Sequence, residues 1–336
     1  MAYDLADRIY GCLLGGLIGD AMGAPVEGKS FSQIEAAYGQ EGIIDFDGSG
    51  TDDTAIREQL LHAIISTNGQ VSCDEFADTF LMFWSVNYGK WWVPVRNMAH
   101  KIRSGVALPA DAGYGNAPSS SSAMAISPMG MLNAMNPRQA ALETFDVAGL
   151  IHSGPSGFCR DAACAMAAAV AEALRPDSTA ESIQDAAVRY LHRQSAHEML
   201  ACIEKARALA TALPDYGNFR AACYAEFLQA EQCDSRETVP VALAIFGMAG
   251  SDSMTAIRRA VNFGRDADTI GTMVGGLCGA FRGSAAMPVE WVQKVEKNPS
   301  VRYREMIPEL LGIIRRRARA AAETANLLLA EASADG

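Results

Sequence analysis

Residues 51–54 read Thr-Asp-Asp-Thr and residues 266–269 read Asp-Ala-Asp-Thr. Both follow a glycine by one or two positions, and both open an apolar helical pattern. Each places two carboxylates and a hydroxyl at a helix N-terminus. One use of such residues is capping, since Asp and Thr satisfy free N–H groups and early carboxylates suit the helix dipole. Another is a hard divalent cation, which takes carboxylate, hydroxyl and water oxygens. Thr51, Asp52, Asp53, Asp266, Asp268 and Thr269 form an all-oxygen donor set without His or Cys, which favours Mg²⁺ or Mn²⁺ over Zn²⁺. The arrangement occurs twice, more than two hundred residues apart. Carboxylates brought together without a cation repel and raise each other's pKa, a cost that a metal removes. Two separate surface caps avoid the same cost, so both readings stand at this point.

A third segment runs Gly15-Gly-Leu-Ile-Gly-Asp-Ala-Met-Gly-Ala-Pro-Val-Glu27. Its glycines end a helix and Pro25 fixes the turn that presents Glu27. Glycine capping explains the ending; a backbone held close to a ligand, with Glu27 aimed at the same cavity, is the functional alternative. The main irregular stretch is Gly105 to Ser122, which ends in Gly-Tyr-Gly-Asn-Ala-Pro and four serines. Loops this long inside a domain are functional or disordered. Serines 119–122 could bind an anion through N–H and hydroxyl groups, or form a flexible polar loop.

The elements that must position these groups are helical. Apolar residues recur at three- and four-residue spacing over Ala55–Thr67, Cys73–Asn87, Pro137–Leu150, Arg160–Leu174, Thr179–Gln194, Ala196–Leu213, Asn218–Leu228, Thr238–Met248, Ser253–Phe263, Asp268–Phe281 and Val301–Leu328. Ser72-x-x-Glu75 is a capping box. Only residues 42–46 suggest a short extended piece. The expectation is an all-α fold, a compact multi-helix bundle of a dozen or so helices, in a single domain over 1–336 with a core of about 5–330. The last residues, Glu331–Gly336, are expected to fray.

The totals limit the function. A net charge of -11 argues against a general nucleic-acid binder, but leaves room for a nucleotide pocket built on backbone N–H groups and a metal. The N-terminal segment carries Asp4, Asp7 and Arg8 and no basic leader, so it reads as the first helix rather than a signal peptide. No apolar run is expected to reach the ~18 residues of a membrane span. The eight cysteines form no C-x-x-C pair and read as small core residues in a reducing cytoplasm.

Taken in order, G-D-A-M-G-A-P-V-E, S-G-T-D-D-T and G-R-D-A-D-T-I-G-T-M-V-G-G-L-C-G-A resemble the three signature segments of the ADP-ribosylglycohydrolase superfamily, of the dinitrogenase reductase-activating glycohydrolase type. The likeness spans about residue 8 to residue 283. It implies an orthogonal all-α bundle with two Mg²⁺ or Mn²⁺ ions at the bottom of a cleft. It also implies hydrolysis at the anomeric carbon of a ribose, typically in ADP-ribose attached to a side chain. Carried over, Thr51, Asp52, Asp53, Asp266, Asp268 and Thr269 are the metal ligands. Glu27, Asp52 and Asp53 are the catalytic carboxylates. Gly115, Asn116, Ser119, Ser120, Ser121, Ser122, Met124 and His152 are the substrate contacts.

Two segments depart from the pattern. The family's loop commonly has Arg where this chain has Ala125, and Pro and Ser are inserted before it. Losing a cationic side chain weakens phosphate binding, which admits a substrate smaller than ADP-ribose. At Ile151-His-Ser-Gly154 the histidine survives, followed by Ser153-Gly154 where the family often has Asp or a similar polar residue and then an Ala-rich helix. Trp91 and Trp92 could stack on a base, but a packed pair is the expectation. Three functions compete: an ADP-ribosyl hydrolase, an N- or C-glycosidase of a nucleoside or nucleotide, and an inactive ADP-ribose binder. The intact ligand set argues against the last. No nucleic-acid or membrane partner is expected. Oligomeric state is open, with a monomer favoured.

Overall fold

Glycine recurs at every fourth position of the first helix, Leu5–Gly23: Gly11, Gly15, Gly19 and Gly23. Residues four apart share one helix face, so this helix presents a stripe of bare backbone. The helix Ala267–Arg282 presents the matching stripe, Gly271, Gly275 and Gly279. In a computed structural model, which describes residues 3–334, the two stripes lie against each other in antiparallel order. A Cβ added to Gly19 would fall 2.0 Å from the Gly271 carbonyl oxygen, one on Gly15 2.2 Å from that of Gly275, and one on Gly23 2.4 Å from the Asp268 Cα. No side chain fits between them. The helices therefore touch backbone to backbone, and the end of the first is pinned to the start of the other.

The remaining helices wrap this pair. The described residues hold eighteen α-helices and no strand, with isolated bridges only between Ser30 and Gly264 and between Tyr114 and Ser153. One continuous hydrophobic cluster runs through all of it. The fold is the expected all-α bundle. Small residues dominate where helices approach most closely: Ala162 through Ala169, in the helix Gly157–Ala173, are buried without exception.

Several local expectations change. The stretch Leu5–Val26 is 22 residues long and apolar enough to cross a membrane by length and composition. This corrects the expectation that no apolar run is long enough: Asp7, Arg8 and Asp20 interrupt the stretch without ending it. Its most apolar window is 89% buried inside the fold, so it is a core helix. The pattern Cys73–Asn87 breaks at Phe83 into Cys73–Met82 and Trp84–Asn87. Trp91 and Trp92 part company: Trp91 is buried against Phe80 and Trp84, whereas Trp92 is 52% exposed. The helix Tyr303–Ala334 continues past the expected end at Leu328, and fraying beyond Ala334 falls outside the described residues.

Gly19→Ala is expected to cost about 3 kcal/mol or more, since neither backbone can yield to the new methyl group. Gly89→Ala, with nothing within 4 Å of its added Cβ, serves as control and should stay within ~0.5 kcal/mol. Urea unfolding distinguishes them; equal stability of the two variants would contradict the packing described.

Candidate functional site

The glycine contact delivers Asp20, near the end of the first helix, to the beginning of the helix Asp52–Ser66. Asp20 is fully buried. It accepts from the backbone N–H groups of Thr51 and Thr54 at 3.0 Å and from the Thr54 hydroxyl at 2.5 Å. It thus binds the free N–H groups of a helix start from outside the helix. Thr51 is the N-cap, its hydroxyl accepting from the Asp53 N–H at 3.3 Å. Asp52 and Asp53 follow in the first turn, and their carboxylates are left for other work. Arg57, also buried, reaches Thr54 from below and lies over Gly16, where a Cβ would strike its guanidinium. Sequence reasoning treated Asp20 only as part of a glycine-rich helix end. A carboxylate inside an apolar helix was the available signal.

The second motif opens the helix Ala267–Arg282. Asp266 is the N-cap residue, but its side chain makes no capping hydrogen bond. Its Oδ2 lies 2.9 Å from the Ser120 hydroxyl instead. Arg265 holds φ 61°, a left-handed conformation unusual for a side chain of its size. Its guanidinium is fixed by the buried Glu237 at 2.9 Å and by the Gln229 carbonyl at 2.6 Å. Its backbone exchanges hydrogen bonds with the Glu27 turn, accepting from Gly28 and donating to Lys29. That ladder sets Glu27 beside Asp266 and Asp268. One oxygen from each of these three carboxylates lies within 4.8 Å of the others.

The two motifs meet, although 216 residues separate Asp53 from Thr269: the Thr269 hydroxyl lies 3.3 Å from Asp53 Oδ2. Asp53, Asp266, Asp268 and Thr269 are buried, while Asp52 is partly and Glu27 largely accessible. They line a cleft of about 410 Å³, with Lys90, Trp92, Ser120, Ser121, Met124, Arg265 and residues 230–233 forming the rest of the wall. Burial pushes the carboxyl groups of Glu27, Asp52, Asp53, Asp266 and Asp268 up, and neighbouring carboxylates add to it. Asp52 rises to about 6 and Asp266 to about 7. Asp53 and Asp268 are held well above the usual carboxylate range, and Asp20 and Glu27 also rise.

Asp53 Oδ1 and Asp268 Oδ1 are buried without any hydrogen-bond partner. Buried polar atoms in proteins are mostly paired, and among the described residues these two are the only carboxylate oxygens of the buried atoms left without a partner. Two orphaned carboxylate oxygens in one anionic cleft are what a bound cation would explain. Capping does not explain them, because neither oxygen serves a helix end. The residues present therefore fit a hard divalent metal, with Thr51 behind Asp53 and outside the cleft lining.

The expected substrate contacts divide. Ser120, Ser121 and Met124 line the cleft. Gly115 is exposed and away from it, with φ 76°. Asn116 is a scaffold residue, its amide donating to the carbonyls of Pro94 and Ile151. His152 is fully buried: Nδ1 lies 2.7 Å from the Ser122 hydroxyl and Nε2 3.1 Å from that of Ser119. Burial lowers its pKa to about 4, so the ring is neutral. His152, Ser119 and Ser122 brace the serine turn from behind. The turn is buried rather than flexible, since Ser119 to Ser122 are each at most 3% exposed.

The pKa directions predict a pH dependence. The folded-state values lie above the roughly 4 of an unfolded carboxylate. As pH rises, the unfolded chain therefore ionises first, and stability present below pH ~4 is lost progressively up to about 7. Protein stripped of divalent cations should melt at lower temperature at pH 8 than at pH 5. Mg²⁺ should restore more stability at pH 8. A melting temperature that rises with pH in the stripped protein would contradict this. A second expectation concerns Asp20→Asn, which keeps the shape but loses the charge under Thr51 and Thr54. It should destabilise the fold by about 2 kcal/mol in urea unfolding.

A profile of the ADP-ribosylglycohydrolase family matches residues 1–326. An uncharacterized protein of Archaeoglobus fulgidus is 26% identical over 325 residues, covering 91% of this chain and 95% of that relative. The uncharacterized protein YegU of Escherichia coli is 26% identical over 304 residues, covering 84% and 89%. Among solved structures, an ADP-ribosylglycohydrolase-related protein complex superposes with a TM-score of 0.66 at 23% identity, over 93% of this chain and 98% of that one, a likeness of fold. With its three motifs gathered into one carboxylate-lined cleft and a match over nearly its whole length, this chain belongs to the ADP-ribosylglycohydrolase family.

Proposed function

We propose that this chain is a glycosyl hydrolase that cleaves the bond at the anomeric carbon of a ribose and depends on two Mg²⁺ or Mn²⁺ ions. The observation that carries the reading is the pair of orphaned buried oxygens, Asp53 Oδ1 and Asp268 Oδ1, facing the same cleft as Glu27. Thr51, Asp52, Asp53, Asp266, Asp268 and Thr269 would hold the ions, with Glu27 adjacent. When bound, such ions orient a sugar through its vicinal hydroxyls and polarise water.

The chain's own residues supply the rest. Among the acidic residues of the two motifs and the Glu27 turn, Glu27 and Asp52 are the accessible ones, and both are shifted upward by burial and by Asp20. A carboxyl group shifted upward passes a proton in either direction, as general acid to a leaving group or as base to water. Gln232 lies 3.4 Å from Glu27 and orients it. The carboxylates behind the sugar stabilise the positive charge that develops at the anomeric carbon. Family membership supports ADP-ribose on a modified side chain or small acceptor as the substrate. The missing Arg at Ala125 supports the second reading, a smaller ribosyl compound. An inactive binder is disfavoured, because a buried carboxylate cluster is costly to keep for binding alone. The free, mostly buried cysteines suit a reducing cytoplasm, and a single-domain monomer is the simplest form.

Asp53→Ala and Asp268→Ala should remain folded, since each removes a carboxylate that repels its neighbours. Each should weaken Mn²⁺ binding in calorimetry by at least roughly 100-fold and abolish turnover, as should chelation of the wild-type protein. Full turnover in either variant would remove that residue from the ligand set, and turnover in chelator would remove the metal from the mechanism.

A further inference from the structure

We propose that the leaving group is an uncharged heteroaromatic base resting on Trp92, so that the cleft takes nucleoside-class substrates rather than ADP-ribosyl ones. The inference rests on the ribosyl-hydrolase reading above and narrows it.

Three observations meet. First, the serine turn has little to offer a diphosphate. The Ser119 hydroxyl donates to Ser121 Oγ, and the Ser122 hydroxyl is held by His152 Nδ1 and the Ala148 carbonyl. The Ser120 hydroxyl lies between Asp266 Oδ2 and the Cys233 carbonyl. The backbone N–H of Ser120 donates to the Cys233 carbonyl and that of Ser121 to Ser119 Oγ. An anion-binding turn needs such groups free and pointing outward. Apart from the Ser121 hydroxyl, which accepts from Ser119 and lines the cleft, these are spent on the protein itself.

Second, the charge of the cleft opposes a diphosphate. Glu27, Asp52, Asp53, Glu231, Asp266 and Asp268 line it. Of its two cations, Arg265 is committed to Glu237. Lys90 remains, resting on the Gly50 carbonyl at 3.3 Å. Two bound metals would offset the four buried or half-buried aspartates and leave little for two further phosphates.

Third, a stacking surface stands where the base of a nucleoside would fall. Trp92 is half exposed on the cleft wall, which it shares with Asp52. A ribose held by the carboxylates carries its aglycone one bond from C1′, beside that indole. Aromatic stacking is indifferent to base identity and needs no charge. In the reaction, water oxygen bonds to C1′ as the C1′–N bond breaks. The electron pair leaves on the base nitrogen, and the proton from water ends there through a carboxyl group of the cleft. The products are ribose and the free base.

The test uses the full chain with Mg²⁺ and four probes: adenosine, inosine, uridine and ADP-ribosyl-arginine. The expected result is a kcat/KM for at least one nucleoside that exceeds that for ADP-ribosyl-arginine by 100-fold or more. Trp92→Ala should raise the nucleoside KM about 10-fold or more with a smaller change in kcat, and Trp92→Phe should restore most of it. Adenosine should quench indole fluorescence in the wild type and not in Trp92→Phe. Preference for ADP-ribosyl-arginine, or a Trp92→Ala variant with unchanged KM, overturns the proposal. If that preferred cleavage still vanishes in Asp268→Ala, the ribosyl-hydrolase reading survives without it. Failure to cleave any probe overturns both.

Discussion

The contact on which the rest depends is between two bare backbones. The first helix and Ala267–Arg282 approach so closely that a single methyl group at Gly15 or Gly19 would collide with the facing carbonyl. Close approach gives precision: with no side chains between them, neither helix can slide or rotate without losing contact along its whole length. The chemistry sits at one end of this pair. Asp20 and Glu27 come from one partner and Asp266 and Asp268 from the other. Every carboxylate of the cleft except Asp52, Asp53 and Glu231 is attached to this contact or to the turns that leave it. Asp52 and Asp53 join through Asp20, which holds their helix by its first turn.

What the contact assembles is electrostatically unfavourable by itself. Six carboxyl groups share a space where burial already penalises charge, so protons or cations must be recruited at neutral pH. Elsewhere the fold handles buried charge differently. Glu237 is fully buried but meets the Arg265 fork, and Arg57 meets Tyr303 and Thr54. In the cleft, by contrast, Asp53 Oδ1 and Asp268 Oδ1 are left without a hydrogen-bond partner. The same fold supplies a partner where structure is the purpose and withholds it where binding is.

The sequence carries the all-helical class and the two acidic motifs because both are local signals: periodicity for the one, residue type at adjacent positions for the other. The missed pieces depend on contacts between distant residues. Asp20 acquires its role from Thr51 and Thr54, and nothing near it in sequence says so. Four serines in a row read as a polar loop, yet His152, Cys233 and Asp266 close over them and bury them. The helices Val93–Arg103, Pro109–Ala112 and Ser127–Leu132 escaped because each carries Pro in its first turn. Proline there starts a helix as readily as it punctuates a loop. The glycines of Gly15 to Gly23 were read as an ending or a ligand contact, and they are a helix interface.

The central claim is that this interface exists to hold cations between Asp53, Asp266 and Asp268. Crystals grown with Mn²⁺ and measured for anomalous scattering test it most directly. The account predicts two peaks in the cleft, ~4 Å apart, with Asp53 Oδ1 and Asp268 Oδ1 among the ligands. An ordered cleft with no anomalous peak, its carboxyl groups hydrogen-bonded only to one another and to water, would contradict it.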